Sequence, residues 1–232
     1  MNQNRMFEIN GKRVKTWNPV KGCLHDCTYC WAKRLAERRL RNTYKYRDGF
    51  VPTFFPEELK NMPKDGFVFI VDMGDLFGYW VGREWIEQII KATYKSKATF
   101  LFLTKNPKRY WDFDWLKAFD AKRHILGATI ETNRDTSQFS SAPFTQDRYV
   151  YMRDLDFPRK MVSIEPIMDF DLDIFTSWIR GIKPEFVYIG YDNYSGNNLP
   201  EPNLEKTQAL IKALEGFTEV RIKTLREAKG LK

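Results

Sequence analysis

Short apolar runs recur along this chain at nearly even spacing, each closed by a polar or turn-forming residue. Phe67–Asp72, Thr99–Thr104, His124–Ile130, Lys160–Glu165 and Phe186–Gly190 are too short for typical helices and almost continuously apolar, the pattern of strands buried on both faces. A further strand is predicted around Arg13–Trp17. Helical patterns alternate with these runs, over Ala32–Arg41, Arg83–Lys95, roughly Trp111–Phe119, Leu172–Arg180 and, after Pro200 and Pro202, Leu204–Leu214. Strand and helix in alternation call for a parallel sheet covered by helices. A closed barrel of this kind takes eight units in roughly 250 residues, whereas about six fit into these 232. The predicted fold is therefore α/β, a partial (β/α)6 TIM-like barrel open on one side, in one domain over residues 1–232. Val220–Leu225 is placed as a short extra strand, and Ser140–Pro143 and Ser195–Asn198 as loops.

In such a layer, ligands gather where the strands end at their carboxyl termini. Here the strand ends carry Met73-Gly74-Asp75, Thr104-Lys105-Asn106-Pro107, Thr129-Ile130-Glu131-Thr132, Ser163-Ile164-Glu165-Pro166 and Gly190-Tyr191-Asp192. Loops are polar anyway. Acids placed directly after β-branched strand residues, as Glu131 and Glu165 are, nevertheless point to a ligand rim.

The chain has three cysteines, all in the segment Cys23-Leu24-His25-Asp26-Cys27-Thr28-Tyr29-Cys30, beyond the first strand. Three thiolates this close can hold three corners of a cubic iron–sulfur cluster and leave one iron without a protein ligand, where electron carriers use four. One alternative is a zinc ion held with His25. That histidine, however, is only two residues from Cys23 and from Cys27, tighter than the usual ligand spacing. A disulfide with a spare thiol suits a secreted chain, which nothing here marks. His25 is expected to hydrogen-bond beside the metal rather than to ligate it.

The C-x₃-C-x₂-C spacing with Tyr29 before the last thiol resembles the signature of the radical S-adenosylmethionine (SAM) superfamily. The resemblance implies a [4Fe-4S] cluster on Cys23, Cys27 and Cys30 and S-adenosyl-L-methionine chelating the open iron. It further implies reductive cleavage to a 5′-deoxyadenosyl radical for hydrogen abstraction, fed by an external flavodoxin- or ferredoxin-like electron donor. On that reading Gly74 and Asp75 meet the SAM ammonium, and Thr129, Glu131, Ser163 and Glu165 meet the ribose. Tyr29 or the strand end at Gly190 takes the adenine. In order, Thr16-Trp17-Asn18-Pro19-x-x-Gly22-Cys23, Asp75-Leu76-Phe77, Leu103-Thr104-Lys105-x-Pro107, Ser163-Ile164-Glu165-Pro166 and Tyr188-Ile189-Gly190 are similar to a phage- and prokaryote-associated radical-SAM-like family of unestablished role. The similarity runs over about residues 14–192. The chain departs from that pattern in its tight cysteine spacing and in ending the sixth strand Gly190-Tyr191-Asp192 instead of Gly-Gly-Glu.

Charge adds a partner to this picture. The formal net charge is +8 and the pI about 9.3. Lys33, Arg34, Arg38, Arg39, Arg41, Lys45 and Arg47 stand close together with Trp31, Tyr44 and Tyr46. Such a stretch can contact phosphates and stack bases, so a nucleotide or nucleic-acid substrate is expected; a solvated helix face is the alternative. No apolar run approaches a membrane span and the N-terminus has no signal-peptide core, which predicts a cytoplasmic protein with no membrane partner. A second function class stays open, an iron–sulfur nucleic-acid-binding or redox-sensing module without SAM chemistry.

Overall fold

In the computed structural model, which describes residues 8–9, 12–194 and 196–229, the apolar runs pair into one parallel sheet. Its strands are β1 (Lys15–Trp17), β2 (Phe67–Ile70), β3 (Thr99–Thr104), β4 (His124–Thr129), β5 (Lys160–Ile164), β6 (Phe186–Ile189) and β7 (Glu219–Ile222), adjacent in chain order. Helices α1 (Trp31–Arg38), α2 (Arg83–Thr93), α3 (Trp115–Ala118), α4 (Thr145–Asp154), α5 (Leu172–Ile182) and α6 (Leu204–Glu215) lie between successive strands. The sheet curls into a half-barrel open between β1 and β7. This is the predicted partial barrel, and β7 is the extra strand, paired with β6 from Glu219 onward.

Both faces of the central strands are buried because each meets a different layer. Ile70, Phe102 and Leu126 stand side by side in register and face the helices. There α2 presents Ile86, Ile89, Ile90 and Thr93, a stripe at helical spacing. One position earlier, Phe69, Leu101 and Ile125 line the concave face. Each such side chain contributes roughly 1.5–3 kcal/mol when fully buried.

Three elements depart from the sequence reading. Helix α1 stops at Arg38 rather than Arg41, because the Leu40 amide reaches back to the Leu35 carbonyl in a wide closing turn (3.0 Å). The first half of the helix predicted near Trp111–Phe119 is the end of a 3-10 helix, Pro107–Asp114, which runs into α3. It is pinned to the sheet by the buried Tyr110 hydroxyl, which donates to the carbonyls of Phe102 and Gly127. Helix α4 had no apolar stripe to announce it: its buried residues are Thr145, Arg148 and Met152. Ser140–Pro143 is the loop leading into it, and Ser195 of the other predicted loop lies outside the described residues. Among the described residues, no helix is long and apolar enough to cross a membrane.

The ends of β1 and β2 meet through backbone alone. Gly22 and Gly74 form a parallel bridge, with the Gly22 amide donating to the Met73 carbonyl at 2.9 Å. A Cβ on Gly74 would stand 2.8 Å from the Gly22 oxygen, and one on Gly22, whose φ is 84°, 2.4 Å from the Val51 carbonyl carbon. Gly22→Ala is therefore expected to cost roughly 3 kcal/mol or more, read as a lowered urea midpoint. Gly49→Ala is the control. Its φ of 75° is similar but nothing lies within 4 Å, so only the backbone cost of about 1 kcal/mol remains. Equal losses in the two proteins would refute the close approach as the cause.

Candidate functional site

The residues after β1 are arranged to carry the cysteine loop over the barrel mouth. The indole of buried Trp17 donates to the Glu58 carbonyl at 2.9 Å. Asn18 accepts from the Met73 amide at 3.1 Å and donates to the Asp72 carboxylate. The Pro19 carbonyl accepts from the Phe55 amide, beside a small hairpin of Val20–Lys21 with Thr53–Phe54. Opposite, Val71 takes a left-handed φ of 60°, which is costly for a β-branched residue. Its amide is tied to the Trp17 carbonyl at 2.8 Å, and the strained turn swings Asp72–Asp75 over the strand ends.

Asp75 then fastens the cysteine loop. Its carboxylate accepts from His25 Nε2 (3.0 Å), the Phe77 amide (2.9 Å), Thr104 Oγ1 (2.7 Å) and the Lys105 amide (2.9 Å). A carboxylate only accepts, so the His25 proton sits on Nε2. Burial would raise the Asp75 pKa, but these donors, His25 foremost, hold it below the usual range. Within the cysteine loop His25 thus hydrogen-bonds to Asp75. The loop is also held from its other side, where Thr28 donates to the Phe139 carbonyl and Ser141 to the His25 carbonyl, at 2.9 and 2.7 Å.

The three cysteines line one cavity of about 1590 Å³ at the carboxyl ends of the strands. Burial raises the pKa of Cys23 and of Cys30, and neighbouring negative charge adds to it: Asp75, Cys27 and Cys30 for Cys23, Cys27 for Cys30. Thiols that hinder one another's ionisation in this way are relieved by a cationic group bound among them, which suits iron and its thiolate ligands. Among the described residues, no three Cys, His, Asp or Glu side chains converge on a single-ion site. The same cavity is lined by Tyr29, Gly74, Asp75, Thr129, Ser163 and Glu165. Thr129, Ser163 and Tyr188 lie in one row across β4, β5 and β6, continued by Arg221 on β7. Glu165 is ion-paired with Lys223.

Two predicted residues stand behind this wall. Gly190 is buried, with Glu165 Oε1, Lys223 and Thr224 all 3.3 Å from where a Cβ would be. Glu131 is fully buried; Arg148 Nη1 donates to it at 2.8 Å, Tyr29 Oη at 2.7 Å, and Lys105 Nζ pairs with it closely. Burial pushes its pKa up, but Arg148 and Lys105 prevail and hold it down to about 2. The Tyr29 hydroxyl moves the other way, raised by burial and then by the Glu131 charge. Lys105 also donates to Tyr29 Oη at 3.0 Å. This cluster ties the residue before Cys30 to β3, β4 and α4. Gly74 serves here through its contact with Gly22, without a left-handed dihedral.

Sequence reasoning missed the roles of Lys105 and Arg148. A lysine one residue past the end of β3 gives no warning of a partner 26 positions away, and Arg148 sits in a helix with no apolar stripe. The basic run is partly consumed internally: Lys33 bonds Asp26, Lys45 bonds Glu58, Arg47 faces Asp48 and Arg34 reaches Asn197. Arg38, Arg39 and Arg41 remain exposed, with Arg39 on the cavity wall.

Removing Arg148 should expose how Glu131 is held. Because the folded pKa is depressed, Glu131 contributes stability above its unfolded value near 4.5, and the contribution is lost as pH falls towards about 2. In Arg148→Met the carboxyl loses its largest favourable charge. The protein should then lose about 3 kcal/mol at neutral pH, and its acid unfolding should move to higher pH. Circular dichroism across an acid titration reads both; an unmoved acid transition would refute the assignment.

Comparison with solved structures finds the same architecture in several proteins. A spore photoproduct lyase with a dinucleoside spore photoproduct aligns with a TM-score of 0.61 at 10% identity, covering 90% of this chain and 76% of the lyase. SuiB from Streptococcus suis, bound to its precursor peptide SuiA, aligns with a TM-score of 0.55 at 11% identity, covering 90% of this chain and 48% of SuiB. Native anSMEcpe with bound AdoMet gives 0.53 at 11%, with 90% and 64% covered. At such identities the likeness establishes the fold. This chain spans about half of SuiB and under two thirds of anSMEcpe. A search of curated proteins finds no match. A family model described as "Protein of unknown function (DUF5131)" matches residues 12–182, most of the chain, and the protein belongs to that family.

Proposed function

We propose that this protein is a radical SAM enzyme. The observation that carries the reading is the gathering of all three cysteines on one cavity at the carboxyl ends of a parallel half-barrel, an architecture it has in common with radical SAM enzymes. Cys23, Cys27 and Cys30 hold a [4Fe-4S] cluster whose open iron takes SAM. Once reduced by an external one-electron donor, these cofactors supply a 5′-deoxyadenosyl radical that takes a hydrogen atom from a substrate. The backbone of Met73 and Gly74 accepts the SAM ammonium, since the Asp75 carboxylate is already fully bonded. Thr129, Ser163 and Glu165 meet ribose hydroxyls. Glu131 works through Tyr29, keeping the ring in place beside Cys30, and Gly190 keeps the wall behind Glu165 thin. An oxygen-sensitive cluster suits a reducing compartment.

Anaerobic reconstitution tests this reading. The wild-type protein should bind four irons, turn brown and release 5′-deoxyadenosine when given dithionite and SAM, whereas Cys27→Ala should assemble no full cluster. A cluster that never cleaves SAM would leave the redox-sensing module as the better account. A full four-iron spectrum in Cys27→Ala would refute the ligand set.

For the substrate, the reading is a nucleotide or nucleic acid that enters by the open side of the barrel. The exposed cations Arg38, Arg39 and Arg41 support it, of which Arg39 lines the cavity, with Tyr44 also exposed. Phosphate contacts release counterions, so binding should weaken steeply as salt rises. Fluorescence anisotropy with short single- and double-stranded oligonucleotides at low and moderate salt measures it. The absence of binding at low salt would remove nucleic acid and favour a small metabolite or a peptide.

A further inference from the structure

The three sulfurs do not have the same neighbours. Cys23 receives the His25 amide and Cys30 the amides of Ala32 and Lys33, all from within the loop or the first turn of α1. Cys27 has a partner of another kind. Ser140 Oγ, 113 positions along the chain, stands 3.1 Å from its sulfur.

We infer that the Ser140 hydroxyl donates a hydrogen bond to Cys27 Sγ and thereby raises the reduction potential of a cluster held there, an inference that rests on the cluster-binding reading above. Ser140 is a positioning residue in this account, acting through the cysteine ligand. Direction follows from the surroundings of Oγ. The Ala142 amide donates to it at 3.1 Å, filling an acceptor position and turning the hydroxyl proton away. The other acceptor in reach, the His25 carbonyl, is 3.4 Å away and is already bonded by the Ser141 amide at 2.7 Å. A ligating thiolate only accepts, so the proton points to sulfur.

Ser140 is buried, at 6% exposure, and water competes little for this bond. Reduction adds an electron whose charge spreads onto the sulfurs, so a donor at one sulfur favours the reduced form. The same short segment, Phe139–Ser141, holds the loop by two backbone bonds. The hydroxyl is therefore kept at a fixed distance from the sulfur.

The test compares Ser140→Ala, Ser140→Gly and Ser140→Thr with wild type. Iron content is measured alongside the midpoint potential, by redox titration followed with electron paramagnetic resonance in the absence of SAM. The Ala and Gly proteins should keep four irons and become harder to reduce. At a fixed potential their reduced-to-oxidised ratio should fall roughly threefold or more, while Thr, which keeps the hydroxyl, stays near wild type. An unchanged potential in a hydroxyl-less protein with full iron would overturn the inference, as would a Thr protein shifted like Ala. Loss of the cluster from both Ala and Gly, with Thr intact, would assign Ser140 to assembly and also overturn it. A wild-type protein that assembles no four-iron cluster would instead sink the reading beneath.

Discussion

The site depends on one buried carboxylate. Asp75 is 4% exposed, and a bare charge at that depth would be prohibitive. It is tolerated because four donors from three segments meet it: a histidine of the cysteine loop, a strand-end hydroxyl and the amides of Phe77 and Lys105. The two oxygens have about four acceptor positions, and all are filled. Pairing this acid joins β2, β3 and the cysteine loop in one step. Loss of the charge would leave His25 and three further donors without a partner inside the protein, so the geometry of the thiols is tied to the stability of the fold.

Glu131 repeats the arrangement two strands further on, with cations in place of amides. Arg148 from α4 and Lys105 from the end of β3 close on it, and Tyr29 completes the set. The two clusters share a residue: Lys105 gives its backbone amide to Asp75 and its ammonium to Glu131. A displacement at either acid is therefore felt at the other. Both act on the cysteine segment, Asp75 near its start through His25 and Glu131 near its end through Tyr29. Each acid alone would hold only one end of the loop.

Much of this was legible in the sequence, for a physical reason. The central strands are buried on both faces, so their apolar runs are continuous and unmistakable, and their alternation with helices leaves few topologies. The cysteines announce themselves by clustering. The strand-end acids were visible too, but their direction was not. A carboxylate beside a β-branched residue reads the same whether it faces a ligand or an internal cation, and only the position of Arg148 decides for Glu131. That arginine was hidden because it replaces an apolar residue on the buried side of α4. The element that completes the ion cluster is thus the one that the periodicity could not reveal. Ser140 was hidden differently, since contacts across 113 positions leave no local pattern.

Turning both acids inward changes what the cavity offers to a ligand. Asp75 and Glu131 spend their charge on protein donors, and Glu165 is tied to Lys223. The row across β4 to β7 presents the Thr129 and Ser163 hydroxyls and ends at the Tyr188 and Arg221 positions. Arg39 stands on the wall contributed by the segment after α1. A ligand with hydroxyls or negative charge meets donors and cations along this path. A cationic group finds the Asp75 carboxylate saturated, while Asp72 and the backbone of the Met73–Gly74 turn stand beside it on the same wall. The strained dihedral at Val71 and the glycine contact beneath the turn hold the Met73–Gly74 segment at the mouth of the barrel, on the same cavity wall as the thiols.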